Sequence, residues 1–116
     1  MKLNQIKKIL NAQEILLNNE KVLDKEYYQA FSSDLMSDAL AMIHDSDNTL
    51  FLTGLVNMQT LRTAEMLDID VIIFVRNKQP SLEMIEMAKE LNINILSTSL
   101  TMYLACGILY EGGLHR

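Results

Sequence analysis

The sequence predicts an α/β fold: a single domain with a mostly parallel sheet of about five strands that alternate with helices. Residues 71–75 read Val-Ile-Ile-Phe-Val without polar alternation, which is typical of a strand covered on both faces. Short strand-like runs alternate with helical segments of about ten residues, a pattern that indicates βαβ units. The chain has 116 residues, 49% of them apolar, which suits one continuous core. We therefore expect residues 1–116 to form one domain.

The N-terminal third is less regular than the rest. Apolar residues recur at helical spacing from Leu3 to Leu10 and predict a short amphipathic helix. Residues 13–17 are predicted to form a strand that ends at the turn-like pair Asn18-Asn19. A second strand is predicted over residues 27–32. The places of these two strands in the sheet are left open by the sequence.

From residue 37 onward, helices and strands alternate regularly. The predicted elements are a helix over 37–43, strand 49–53, helix 57–67, strand 71–75, helix 81–91, strand 93–96 and helix 101–110. Asn57 is the predicted N-cap of the second of these helices, and Asp34 or Ser37 of the first. In the helix over 81–91, the predicted buried face consists of Leu82, Ile85, Ala88 and Leu91.

Composition and charge exclude several classes of protein. The formal net charge of −5, with scattered Lys and Arg, argues against nucleic-acid binding. The single cysteine, Cys106, excludes an internal disulfide and, lying in an apolar run, is expected to be buried and inert. No stretch approaches the roughly 20 apolar residues of a membrane span, and the N-terminus lacks a signal-peptide core. We expect a cytoplasmic protein that binds neither membrane nor nucleic acid.

The sequence contains no recognisable catalytic or metal-binding motif. The two histidines, His44 and His115, are far apart in the sequence. His44 is predicted to lie at the C-terminal end of a helix, where the helix dipole favours a positive charge. Four glycines cannot supply a glycine-rich nucleotide loop. We expect no cofactor, no metal and no catalysis. The alternative of an unrecognised enzyme would require Asp34, Asp38 and Ser97 to converge.

Small polar residues follow the ends of the predicted parallel strands. Ligands bind beyond the carboxyl ends of such strands, where helix N-termini present backbone N–H groups. The candidate ligand-binding residues are Ser33, Asp34, Thr53, Gly54, Asn57, Arg76, Ser97 and Thr98. Such residues are also the usual helix caps and loop residues. The sequence thus allows either a site for a phosphate or polar metabolite, or capping alone.

The last two predicted helices carry more apolar residues than one buried face needs. The final helix includes Met102, Leu104, Cys106, Ile108 and Leu109 and leaves little polar surface. Either both helices pack broadly on the sheet, or part of their surface closes a homodimer. We expect a homodimer.

Several blocks of the sequence, in order, resemble the DRTGG domain family. They are Ser37-Asp38, Leu52-Thr53-Gly54, residues 57–60, residues 62–66, Phe74-Val75-Arg76, Leu96-Ser97-Thr98, residues 102–107 and Leu109-Tyr110-Glu111. The resemblance covers about residues 30 to 114. The chain is also similar to the N-terminal domain of HPr kinase, without that enzyme's phosphate-binding loop.

The resemblance implies an α/β module that is usually attached to other domains. In one group it accompanies CBS domains in a pyrophosphatase that responds to adenine nucleotides, where it contributes chiefly to dimerisation. We therefore expect a non-catalytic, homodimeric regulatory domain that senses an adenine nucleotide or phosphorylated metabolite. The alternative is a pure interaction module attached to a larger enzyme system.

Overall fold

Helices and strands alternate along most of the chain, as the sequence predicts. The structure, a computed structural model, describes residues 1–43 and 46–115. The helices are α1 (Leu3–Ile9), α2 (Met36–Met42), α3 (Met58–Met66), α4 (Leu82–Leu91) and α5 (Met102–Glu111). The strands are β1 (Gln13–Leu16), β2 (Gln29–Ser32), β3 (Thr49–Thr53), β4 (Val71–Phe74) and β5 (Asn94–Ser97). A 3₁₀ helix that the sequence did not predict, Glu20–Asp24, lies between β1 and β2.

The five strands form one mostly parallel sheet in the order β1-β5-β4-β3-β2. Strands β2 to β5 are parallel and adjacent in chain order. β1 pairs antiparallel with β5, with an irregularity between Glu14 and Leu16. The predicted fold class is therefore confirmed. The strand order does not reverse within the parallel part, so that part has no topological switch point.

This strand order decides which helices share a face of the sheet. Parallel βαβ connections are right-handed, so crossovers that all advance in one direction place their helices on the same side. The three crossover helices, α2, α3 and α4, accordingly share one hydrophobic cluster. Its buried residues are Met36, Ala39, Phe51, Leu61, Ala64, Ile69, Ile72, Phe74, Met84, Ala88, Ile93 and Ile95.

The opposite face of the sheet is covered by α1 and α5. The buried residues there include Leu3, Ile6, Leu50, Leu52, Val71, Ile73, Leu96, Ala105 and Leu109. Because helices cover both faces, every residue of β3, β4 and β5 is buried. That explains why the sequence of β4 shows no polar alternation.

The helix caps are partly as predicted. Asn57 caps α3, and its side-chain oxygen accepts a hydrogen bond from the Thr60 N–H at 3.1 Å. The predicted cap of α2 is wrong, because Leu35 occupies that position and makes no side-chain cap hydrogen bond. Instead, the Ser33 hydroxyl accepts a hydrogen bond from the Leu35 N–H at 2.9 Å. His44 lies outside the described residues.

Two predictions about burial are also wrong. Leu82, expected in the buried face of α4, is 81% exposed, whereas Met84 is buried. Ser81 caps this helix, and the helix is rotated so that Met84 and Ala88 point to the sheet. Cys106 is partly exposed rather than buried, because α5 packs on the sheet mainly through Ala105 and Leu109.

A network of hydrogen bonds connects the residues at the amino ends of β4 and β5. The carboxylate of Asp70, just before β4, accepts hydrogen bonds from Lys25 Nζ at 2.6 Å and from the Tyr27 hydroxyl at 3.0 Å. Asn94 joins the network by donating to the Asp70 carbonyl at 3.0 Å. Burial, with the nearby Asp70 charge, strongly raises the pKa of the Tyr27 phenol.

The raised pKa of Tyr27 predicts a loss of stability in alkali. The unfolded chain releases this proton near pH 10 while the folded chain retains it. The stability that the neutral phenol contributes is therefore complete below pH 10 and is lost as the pH rises further, at about 1.4 kcal/mol per pH unit. Urea unfolding between pH 9 and 11 should show a steeper decline for the native sequence than for Tyr27→Phe.

The neighbouring Tyr28 is the matched control, because its side chain is largely exposed. Tyr28→Phe should retain the native alkaline slope. Equal slopes for the native protein and Tyr27→Phe would contradict the prediction.

Within the described residues, no helix combines the length and the apolar composition that crossing a bilayer requires.

Candidate functional site

The carboxyl ends of β2, β3, β4 and β5 lie side by side, because these strands are parallel and adjacent. The loops that follow them therefore meet at one edge of the sheet. All eight candidate residues named from the sequence lie at or just after these strand ends. The structure divides them into groups with different partners.

Four candidates form one contiguous group, which we call the Asp34 cluster: Asp34, Thr53, Gly54 and Arg76. The Gly54 N–H donates a hydrogen bond to Asp34 Oδ1 at 2.6 Å. The Thr53 hydroxyl donates to the same oxygen at 3.4 Å. Arg76 Nη2 lies 3.9 Å from Asp34 Oδ2. Three donors from the ends of β3 and β4 thus surround one carboxylate.

The guanidinium of Arg76 approaches the backbone closely at Gly54. A Cβ atom built there would lie 2.5 Å from Arg76 Nη2 and 3.2 Å from Asp34 Oδ1. The missing side chain lets the guanidinium lie against the β3 backbone. A side chain at position 54 would displace the Arg76 guanidinium, which is the flexible, half-exposed end of its side chain.

Arg76 projects from an uncommon backbone turn. Arg76 and Asn77 have φ angles of 57° and 56°, and the Lys78 N–H donates to the Val75 carbonyl at 3.2 Å. Two consecutive positive φ angles closed by such a bond are typical of a type I′ turn. The turn is held in place because the Arg76 N–H donates to the Leu100 carbonyl at 2.8 Å.

The side chains of Ser97 and Thr98 are buried and bond to other partners than the Asp34 cluster. The Ser97 hydroxyl donates to the Lys78 carbonyl at 2.8 Å and accepts from the Gln79 side chain. The Thr98 hydroxyl donates to the carbonyl of Leu10, at the end of α1, at 2.7 Å. Both hydroxyls therefore join neighbouring segments of the chain.

The remaining two candidates have local partners. Ser33 bonds to the backbone of Leu35, and Asn57 caps α3. Among the residues that the enzyme alternative requires, Asp34 and Ser97 have different hydrogen-bond partners and Asp38 lies exposed on α2. Over residues 1–43 and 46–115, the structure contains no cluster of three or more potential metal-ligating side chains.

The donors of the Asp34 cluster are of three kinds. A backbone N–H, a hydroxyl and a guanidinium are donors that hold carboxylate and phosphate oxygens. Arg76 and Asp34 are about half exposed, with side-chain accessibilities of 51% and 55%. Their ion pair is long and solvated, so it contributes little to stability.

Sequence analysis did not find an apolar groove on the α1 and α5 side of the sheet. It has a volume of about 250 Å³ and runs between the edge strand β2 and α5, lined by Ala30, Phe31, Ser32, Leu52, Cys106, Leu109, Tyr110 and Leu114. The outer face of α5 continues it with exposed Tyr103, Leu104 and Tyr110. The apolar composition of α5 was the available signal, but only the strand order reveals the groove.

Fold and loop chemistry together define an open α/β domain with a donor-lined edge at the carboxyl ends of its parallel strands. The solved structures include one with the same fold: the CBS and DRTGG domains of the regulatory region of Clostridium perfringens pyrophosphatase, complexed with the activator diadenosine tetraphosphate. It is similar with a TM-score of 0.71 and 21% sequence identity, over 93% of this chain. This chain is therefore a DRTGG-like domain in fold, as its sequence indicates.

The likeness covers only part of the pyrophosphatase region, since this chain spans 45% of that chain's length. No family model matches the sequence. No curated protein matches it either.

Proposed function

We propose that the chain is a non-catalytic regulatory domain that binds an adenine nucleotide or a phosphorylated metabolite at the Asp34 cluster. The observation that carries this proposal is the convergence of the Gly54 N–H, the Thr53 hydroxyl and the Arg76 guanidinium on one anionic group. These donors belong to the ends of two adjacent parallel strands. A phosphate group would satisfy the same three donors.

The choice of an adenine nucleotide is supported by the similar pyrophosphatase region, which is complexed with diadenosine tetraphosphate. In that complex the nucleotide is an activator. Ser33 and Asn57 lie on the loops that follow β2 and β3, and their side chains bond to Leu35 and Thr60 rather than to the Asp34 cluster.

Ser97 and Thr98 were candidates for the same site and receive a different role in this proposal. Their hydroxyls are buried and bonded to backbone carbonyls. Breaking those bonds to reach a ligand would leave the carbonyls of Lys78 and Leu10 without these donors. We assign both residues to the support of the loops that carry Arg76.

A thermal-shift panel with AMP, ADP, ATP, diadenosine polyphosphates and inorganic phosphate tests the proposal. A ligand at 100 times its dissociation constant stabilises the folded state by about 2.7 kcal/mol. For a domain of this size we expect the melting temperature to rise by about ten degrees. A cooperative melt that no compound in the panel shifts would contradict the proposed function.

A second candidate function, a homodimerisation module, is supported by the outer face of α5. Tyr103, Leu104 and Tyr110 are exposed there, and the helix carries one charged residue, Glu111. The adjoining apolar groove enlarges this surface. Exposed apolar patches of this kind are typical of protein–protein contacts. A second copy of the chain would bury the outer face of α5 and the adjoining groove at once.

Sedimentation equilibrium tests the dimer. We expect the native chain to have twice its monomer mass and Leu104→Glu to be a monomer, because the buried charge would be unpaired. Met66→Glu is the matched control, because Met66 is exposed on α3, on the other face of the sheet. A native monomer at high concentration, or a Leu104→Glu dimer as stable as the native one, would contradict this candidate.

A further inference from the structure

We infer that Asp34 is an internal competitor for the proposed anion site, and that binding of a phosphate group displaces its carboxylate and loosens α2. This inference rests on the proposed function, because it concerns the regulation of the same donors. It assigns to Asp34 a role opposite to that of a residue that holds the ligand.

The carboxylate of Asp34 occupies the position that an anion would take. Its Oδ1 accepts the Gly54 N–H at 2.6 Å and the Thr53 hydroxyl at 3.4 Å, and its Oδ2 faces Arg76 at 3.9 Å. A phosphate oxygen accepts hydrogen bonds from the same donors. Since one N–H points at one acceptor, the carboxylate and a phosphate cannot both occupy the position in front of Gly54.

Electrostatics favours exchange over simultaneous binding. A phosphate beside Asp34 would place two negative charges within a few ångströms, which is unfavourable even near the protein surface. The carboxylate is also readily released, because its side chain is 55% exposed and its ion pair with Arg76 is long. A phosphate with more negative charge and more acceptor oxygens would bind these donors more strongly.

Displacement of Asp34 would be transmitted to α2, which begins two residues later at Met36. This helix has seven residues and no side-chain N-cap. It packs on the sheet through buried Met36 and Ala39, while Leu40 and Met42 remain exposed. A short helix with few buried contacts opens at low free-energy cost. The bond from Gly54 to Asp34 joins the segment just before α2 to the end of β3.

Competition predicts that removal of the carboxylate strengthens binding. We expect Asp34→Ala to bind ATP and inorganic phosphate at least tenfold more tightly than the native chain, as measured by isothermal titration calorimetry. Asp34→Asn keeps an oxygen that can accept the Gly54 N–H but lacks the charge, so its affinity should lie between the two. Thermal melts verify that each variant is folded.

Asp38→Asn is the matched control, because it removes one negative charge from the exposed side of α2 without touching the cluster. Its affinity should stay within twofold of the native value. If Asp34→Ala binds no more tightly than the native chain, the competitor role is overturned while the proposed site remains. If none of the proteins binds either probe, the proposed function fails, and the inference with it.

Hydrogen exchange tests the coupling to α2 separately. Addition of saturating ATP to the native chain should accelerate exchange at the amides of residues 36–43, including the Ile43 N–H that bonds to the Ala39 carbonyl. Amides of α4 should show no such acceleration. ATP binding that leaves the exchange of residues 36–43 unchanged, or slows it, would overturn the coupling.

Discussion

Arg76→Gly should weaken nucleotide binding by about tenfold to 150-fold while leaving the fold intact. The guanidinium is the charged donor of the Asp34 cluster, and hydrogen bonds to charged groups are worth about 1.5–3 kcal/mol. Arg76 has a φ of 57°, a conformation that glycine adopts without strain. Relief of backbone strain stabilises the folded state, and this offsets the destabilisation that comes from the greater entropy of glycine in the unfolded chain. We expect the melting temperature without ligand to change by only a few degrees.

Asn77→Gly supplies a closely matched control for this prediction. Asn77 is the next residue in the same turn, with a φ of 56°. Its replacement by glycine changes the backbone in the same way as Arg76→Gly but removes no positive charge. Calorimetric titration with ATP should give native affinity for Asn77→Gly and weak binding for Arg76→Gly. Equal losses would show that the turn, and not the guanidinium, determines binding. If both variants bind ATP with native affinity, Arg76 is not part of the binding site.

Thr98→Val should destabilise the domain by about 2–3 kcal/mol. The substitution keeps the shape of the side chain but removes the hydroxyl that donates to the Leu10 carbonyl at 2.7 Å. It also removes the oxygen that accepts the Leu100 N–H at 3.3 Å. Buried groups left without partners cost about 1–3 kcal/mol. For a domain of this size, the melting temperature should fall by about ten degrees.

Thr98→Ser is the control, because it keeps the hydroxyl and loses one methyl group worth about 0.8 kcal/mol. Urea unfolding should show a clearly smaller loss for the serine variant. A valine variant as stable as the serine variant would contradict the structural role of this hydroxyl.

The local elements of this fold follow closely from sequence. Strand β4 is evident because a run of five apolar residues without alternation fits a strand buried on both faces. The capping of α3 by Asn57 is also predictable, because an Asn before an amphipathic segment satisfies a free backbone N–H of the first helical turn. The phase of α4 is harder to predict, since its methionines and leucines fit more than one face.

The candidate site was predictable only as a collection of strand ends. Polar residues after parallel strands must lie at one edge of the sheet, which correctly places Thr53 and Arg76 together. Their neighbours Ser97 and Thr98 have the same residue chemistry. They nevertheless bond to Lys78 and Leu10, because β5 lies between β4 and the antiparallel β1.

The sequence by itself determined the α/β class, the order of the elements and the polar composition of one sheet edge. These depend on side-chain periodicity and on turn and cap chemistry, which act over a few residues. Tertiary structure decided the antiparallel place of β1, the exposed face of α5 and the meeting of Asp34 with Gly54 across twenty positions. Such contacts depend on strand order and on which faces of the sheet are already covered, and no local pattern encodes them.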